Sequence, residues 1–112
     1  MKYMLLLYSD PGIAPEDAAE MGEWFAYTEA LAAAGVLVSG DALHPVEQAT
    51  TLRVRDGQRV VADGPFAETK EILGGYYLID VADLDVALDW AEKVPLAPYG
   101  SVEVRPLVEF DG

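Results

Sequence analysis

Lys2-Tyr3-Met4-Leu5-Leu6-Leu7-Tyr8 is apolar on both of its alternating faces. Tyr3, Leu5 and Leu7 fall on one side of an extended chain, and Met4, Leu6 and Tyr8 on the other. A strand of this kind is covered on both sides. Ser9-Asp10-Pro11-Gly12 breaks it. A second stretch with the same character, Tyr76-Tyr77-Leu78-Ile79, lies within a strand expected over Gly75 to Val81.

Between these two strands the pattern changes period. Pro15 and the acidic pair Glu16-Asp17 suit the first turn of a helix, where anions meet the positive end of the dipole. Met21, Trp24, Phe25, Thr28, Leu31 and Ala32 follow at spacings of three and four, the stripe of an amphipathic helix. Gly35 is a natural stop. Val36 to Leu43 reads as the second strand, with a bulge or bend expected at Gly40. Thr51-Leu52-Arg53-Val54-Arg55 and Gln58-Arg59-Val60-Val61-Ala62 flank Asp56-Gly57, a strong hairpin signal. After the Gly75–Val81 strand, Asp83 caps a second helix with Leu84, Ala87, Leu88, Ala91 and Val94 on its inner stripe. Pro95 ends that helix, and Ser101 to Val108 forms the last strand.

The order β-α-β, hairpin, β-α-β is α+β, a ferredoxin-like split βαβ with an inserted β-hairpin. Each helix has one apolar stripe, so both cover one sheet face. The other face of the two apolar strands then needs a partner, most simply a second copy packed sheet to sheet.

At 112 residues the chain is expected to form a single domain, residues 1–112, with one core. It has no cysteine, which removes disulfides and thiolate chemistry. The first strand is too short to span a membrane, and no signal-peptide pattern accompanies it, so the expected location is cytoplasmic. The net charge of −13 argues against nucleic acid and anionic membranes as partners. Lys2 is the only basic residue before Arg53, so an anionic ligand would favour the second half of the chain.

Four ionisable side chains crowd into Asp63-Gly64-Pro65-Phe66-Ala67-Glu68-Thr69-Lys70-Glu71. With Lys2–Tyr8, Gly40-Asp41-Ala42-Leu43, Gly74–Ile79 and Glu103-Val104-Arg105-Pro106, this run resembles the DGPF branch of the YCII-related proteins over nearly the whole chain. The resemblance implies a ferredoxin-like fold that dimerises into a dimeric α/β barrel. It implies no settled activity. Some relatives accompany extracytoplasmic-function sigma factors; no sigma-like helical region is present here. The wider superfamily pairs a histidine with an aspartate. Asp41 matches the aspartate, but the first helix holds no histidine, so that pairing does not carry over.

The residues that can carry chemistry are few. Asp41, at the end of the second strand, and Glu68 are the candidate acid–base carboxylates, because closely held carboxylates can have their pKa values pushed apart. Asp63, Lys70, Arg105, His44 and Tyr76 are the candidate ligand-binding residues. Each has a plain structural alternative. Asp63-Gly64-Pro65 suits an ordinary turn, Glu68 and Lys70 a solvated ion pair, and Arg105 a structural pair with Asp41 or Glu68. His44, the only histidine, suits polar surface, and Tyr76 packing. No phosphate loop, dinucleotide fingerprint or metal-ligand spacing is present, so no cofactor and no metal is expected. The leading expectation is a homodimer that binds a small polar molecule between the sheet and the motif loop, with acid–base catalysis as an extension. The competing one is a non-catalytic accessory or regulatory module.

Overall fold

The computed structural model describes residues 1–12 and 20–110. Its elements are β1 (Lys2–Ser9), α1 (Met21–Ala33), β2 (Leu37–Ala42), β3 (Thr50–Arg55), β4 (Gln58–Asp63), β5 (Ile72–Asp80), α2 (Leu84–Glu92) and β6 (Ser101–Pro106). A short 3-10 turn, Val46–Gln48, precedes β3. Four strands form an antiparallel sheet in the order β2-β5-β1-β6, while β3 and β4 form a separate two-stranded sheet. This is the α+β arrangement expected of a ferredoxin-like chain, with the hairpin inserted between β2 and β5.

β1 and β5 are central because they are the strands apolar on both faces. Leu5 pairs with Tyr77 and Val104, and Tyr3 with Ile79. These residues join Tyr27 and Leu31 of α1 and Ala87 and Ala91 of α2 in one core. Leu5, Leu31, Ile79 and Val94 are fully buried, each stabilising the fold by roughly 1.5–3 kcal/mol. Both helices therefore cover the face that carries Tyr3, Leu5 and Leu7. On the other face Met4, Leu6, Tyr8, Tyr76 and Leu78 remain only half-buried.

The helix faces differ from the expected stripes. Tyr27 is core: its hydroxyl donates to the Trp90 carbonyl at 2.8 Å, and its ring meets Tyr77 edge-on at 5.3 Å. Burial pushes the Tyr27 phenol well above the ordinary tyrosine range, with the neighbouring Tyr77 adding to it. Met21 and Phe25, expected inside, are 67% and 68% exposed. α1 has turned its Tyr27–Leu31 edge to the sheet because the apolar stripe is wider than the face that can be buried. In α2 the small residues Ala87 and Ala91 make the contact, and Leu84 and Leu88 are left exposed. Asp83 caps α2 as expected, accepting from the Val86 N–H at 3.0 Å. The first turn expected at Pro15-Glu16-Asp17 lies outside the described residues. α1 begins at Met21, with the Glu20 N–H donating to the Glu23 carboxylate at 2.9 Å.

The irregularity in β2 also moves. It falls between Leu37 and Ser39, not at Gly40, which pairs regularly with Tyr77. Gly40 answers a different need. A Cβ there would lie 2.6 Å from Cδ1 and 3.0 Å from Cε1 of Tyr77, whose ring crosses the glycine. In the hairpin, Asp56 and Gly57 take φ values of 53° and 74°, the geometry that a two-residue connection needs to follow the strand twist.

Gly40→Ala must push the Tyr77 ring aside and should destabilise the protein by ~1–3 kcal/mol, read as a lower urea midpoint. Gly22→Ala is the control. It meets nothing within 4 Å on the surface of α1 and should stabilise by ~0.5–1 kcal/mol.

Candidate functional site

A cleft of about 490 Å³ opens between α1, the Ala42 end of the sheet and the loop after α2. Its walls are Met21, Trp24 and Phe25 on one side and Leu96 and Tyr99 on the other. Leu37, Gly40, Gly75 and Tyr77 lie beneath. The volume falls in the range of small-molecule sites, ~300–1,000 Å³. The Tyr77 ring over Gly40 forms part of this floor, so the tight contact that fixes β2 against β5 also shapes the cleft.

Among the polar groups that line the cleft is a pair of hydroxyls. The Thr28 and Tyr77 hydroxyls are 2.7 Å apart, and Thr28 donates to the Trp24 carbonyl at 3.0 Å. A threonine hydroxyl has one proton. It is committed to Trp24, so Tyr77 must donate to Thr28. The Tyr77 oxygen keeps its acceptor capacity.

Of the residues singled out in the sequence, Asp41 and Tyr76 border the cleft. They pair across β2 and β5, and the Tyr76 hydroxyl donates to Asp41 Oδ2 at 2.7 Å. Tyr77 faces α1, so strand alternation sends Tyr76 and Asp41 to the open sheet face beside the cleft. The hydrogen bond to the Asp41 carboxylate raises the Tyr76 pKa, with smaller contributions from desolvation and the Asp41 charge; Ser39 opposes them. Tyr76 is thus held as a neutral donor.

The other candidates stand elsewhere. Asp63 ends β4, Glu68 and Lys70 sit in the loop before β5, and His44 follows β2; all four are exposed. Glu68 and Lys70 have no ion pair among the described residues. Arg105 does not reach Asp41 or Glu68. It pairs with Glu103, its neighbour two residues back on β6, at 3.5 Å, an exposed contact that adds little to stability. The motif run makes a turn and a tether. The Gly64 N–H donates to the Ala49 carbonyl at 2.7 Å, Arg53 Nη2 donates to the Phe66 carbonyl at 3.0 Å, and the Ser101 hydroxyl donates to Glu71 Oε2 at 3.1 Å. The cleft lies between sheet and α1, whereas the expected pocket lies between sheet and motif loop. Met21 and Phe25 line the cleft; an apolar stripe in the sequence does not mark which of its residues stay uncovered.

Replacing Asp41 by Asn removes both the charge and the anionic acceptor that hold the Tyr76 proton. Tyr76 should then ionise at lower pH than in the parent chain, seen by NMR titration of ¹³C-labelled tyrosines. An unchanged Tyr76 titration would mean that the 2.7 Å contact is not populated.

The profile of the YCII-related domain matches residues 1–111. An uncharacterised protein of Rhizobium meliloti (strain 1021) is 44% identical over 117 residues, covering 98% of this chain and 94% of that protein. No helix among the described residues is long and apolar enough to cross a membrane. With an antiparallel β2-β5-β1-β6 sheet, two helices on one face and a sequence match along its length, the chain belongs to the YCII-related family.

Proposed function

We propose that this chain is a cytoplasmic single-domain member of the DGPF branch that binds a small organic molecule in the cleft between α1 and the sheet. The Asp63–Glu71 run supports the branch. The observation that carries the ligand reading is the cleft itself, about 490 Å³ with mainly apolar walls and the Thr28–Tyr77 hydroxyl pair among its polar groups. Such a lining suits a flat or branched apolar body with one hydroxyl or amine, whose proton the Tyr77 oxygen accepts. This is a less polar ligand than the charged motif suggests. The net charge of −13 favours a neutral or cationic ligand over an anionic one.

The open sheet face supports a homodimer. Met4, Leu6 and Leu78 form an apolar centre, with Asp41 on the β2 edge and Glu103 and Arg105 on the β6 edge. A second copy on this face would enclose the Asp41–Tyr76 pair. Acid–base catalysis then gives the base to Asp41 and the hydrogen-bond donor to Tyr76. Glu68, Asp63, Lys70, Arg105 and His44 have no part in the cleft on this reading. Their exposure favours the second reading, a non-catalytic accessory module, at the motif loop.

A thermal-shift screen of neutral and cationic aromatic alcohols and amines tests the proposal. A ligand at ~100 times its Kd should add ~2.7 kcal/mol to stability, a rise of several degrees. Phe25→Ser, which removes one wall, should weaken the shift, Thr28→Val should weaken it for ligands with a hydroxyl or amine, and Glu68→Gln should leave it unchanged. A shift abolished by Glu68→Gln and kept in Phe25→Ser would place the ligand at the motif loop. No hit across the library would favour the accessory module.

A further inference from the structure

The β3–β4 hairpin is an arm that its own protomer does not cover. Neither strand packs appreciably on the four-stranded sheet or on a helix. Register places Leu52 opposite Val61 and Val54 opposite Arg59, so Leu52, Val54 and Val61 share one face. They are 53%, 60% and 57% exposed. The other face is partly sheltered by the motif loop, through Thr51 donating to the Gly64 carbonyl and Arg53 to that of Phe66. A two-stranded hairpin on its own is marginally stable in water and needs a third element against its apolar face. The radius of gyration says the same of the whole protomer. It is 16.2 Å, against ~13 Å for a compact chain of this length.

Charge identifies what completes the arm. Thr50–Asp63 holds Arg53, Arg55 and Arg59 against Asp56 and Asp63, a net charge of +1, so the remainder carries −14 of the total −13. Three of the seven basic residues thus sit on an arm that projects from an otherwise strongly acidic body. The surface that matches an apolar, arginine-bearing arm is that of the chain itself. We propose that the arm clasps a second copy of this chain, laying Leu52, Val54 and Val61 on the partner's surface with Arg59, which shares that face, toward the partner's carboxylates. This deepens the homodimer reading above and rests on its self-association, not on the sheet face as the contact. The arm leaves the sheet at Ala42 and returns at Ile72, beside Asp41 and Tyr76, so the same contact would join the partner to the rim of the cleft.

The absence of cysteine allows a direct test. Val54→Cys is labelled with a benzophenone maleimide, the ¹⁴N and ¹⁵N forms are mixed, and the sample is irradiated at a concentration where sedimentation shows a dimer. Mixed-isotope covalent pairs are expected. Leu52→Ser/Val54→Ser/Val61→Ser should raise the dimer dissociation constant ~10-fold or more while each chain keeps its circular dichroism spectrum. Only intrachain links, or none, in a dimeric sample whose dissociation constant ignores the triple substitution would overturn the arm and leave the sheet-face dimer standing. Leu6→Asp separates the two ideas from the other side. If it leaves the dimer intact while arm links persist, the sheet-face reading fails and the arm stands. A protein that stays monomeric throughout overturns both.

Discussion

The ring of Tyr77 lying across Gly40 is the contact on which the rest of the molecule depends. It joins neighbouring strands β2 and β5 at a point where no side chain larger than hydrogen fits. From the same ring the hydroxyl reaches Thr28 of α1, and its edge meets Tyr27, whose own hydroxyl ends on the carbonyl of Trp90 in α2. One aromatic side chain thereby sets the height of both helices above the sheet. The polar atoms in this chain of contacts are paired, as burial requires, because an unsatisfied hydroxyl in the core would cost about 1–3 kcal/mol. The cleft is a by-product of that height. α1 is held by Tyr27 and Leu31, and its Met21–Phe25 edge overhangs the sheet without reaching it.

How much of this can be read from the chain depends on how local the signal is. The hairpin is legible because Asp56-Gly57 and the flanking alternation act within a dozen residues. The central position of β1 and β5 is legible because a strand apolar on both faces has nowhere else to go. The helix faces are not. Met21, Trp24, Phe25, Tyr27, Thr28 and Leu31 spread over nearly half the circumference of α1, and only contact with the sheet chooses among them. Gly40 shows the same limit. A glycine in a strand signals either a bulge or a close approach, and the choice rests on the ring of a residue 37 positions away.

The motif run shows why density of charge in sequence is not a site in space. Its residues are adjacent in the chain, yet Asp63 closes a strand, Glu68 and Lys70 stand exposed in the loop, and Glu71 is bound to Ser101. Pro65 and Gly64 turn the chain from the arm back toward β5, and Arg53 and Thr51 donate to carbonyls of that turn. The run therefore acts first as the wrist of the hairpin. What it positions is the arm, and with it three of the chain's seven basic residues.

This divides the chain into two surfaces with different needs. The helix side carries the core and the cleft, with Met21 and Phe25 of α1 and Leu84 and Leu88 of α2 left uncovered. The opposite side and the arm hold apolar surface without cover: Met4, Leu6 and Leu78 across the middle of the sheet, Leu52, Val54 and Val61 along the hairpin. A chain with a net charge of −13 resists association with itself through long-range repulsion. Any self-association must then overcome that field locally, and Arg59 of the arm sits where such neutralisation would act, on the face that carries Leu52, Val54 and Val61. Apolar burial can supply the energy of such an assembly, while the placement of the few positive charges selects its orientation. On this account the shortage of basic residues is itself informative, because each one that remains marks a place where the acidic surface has to be met.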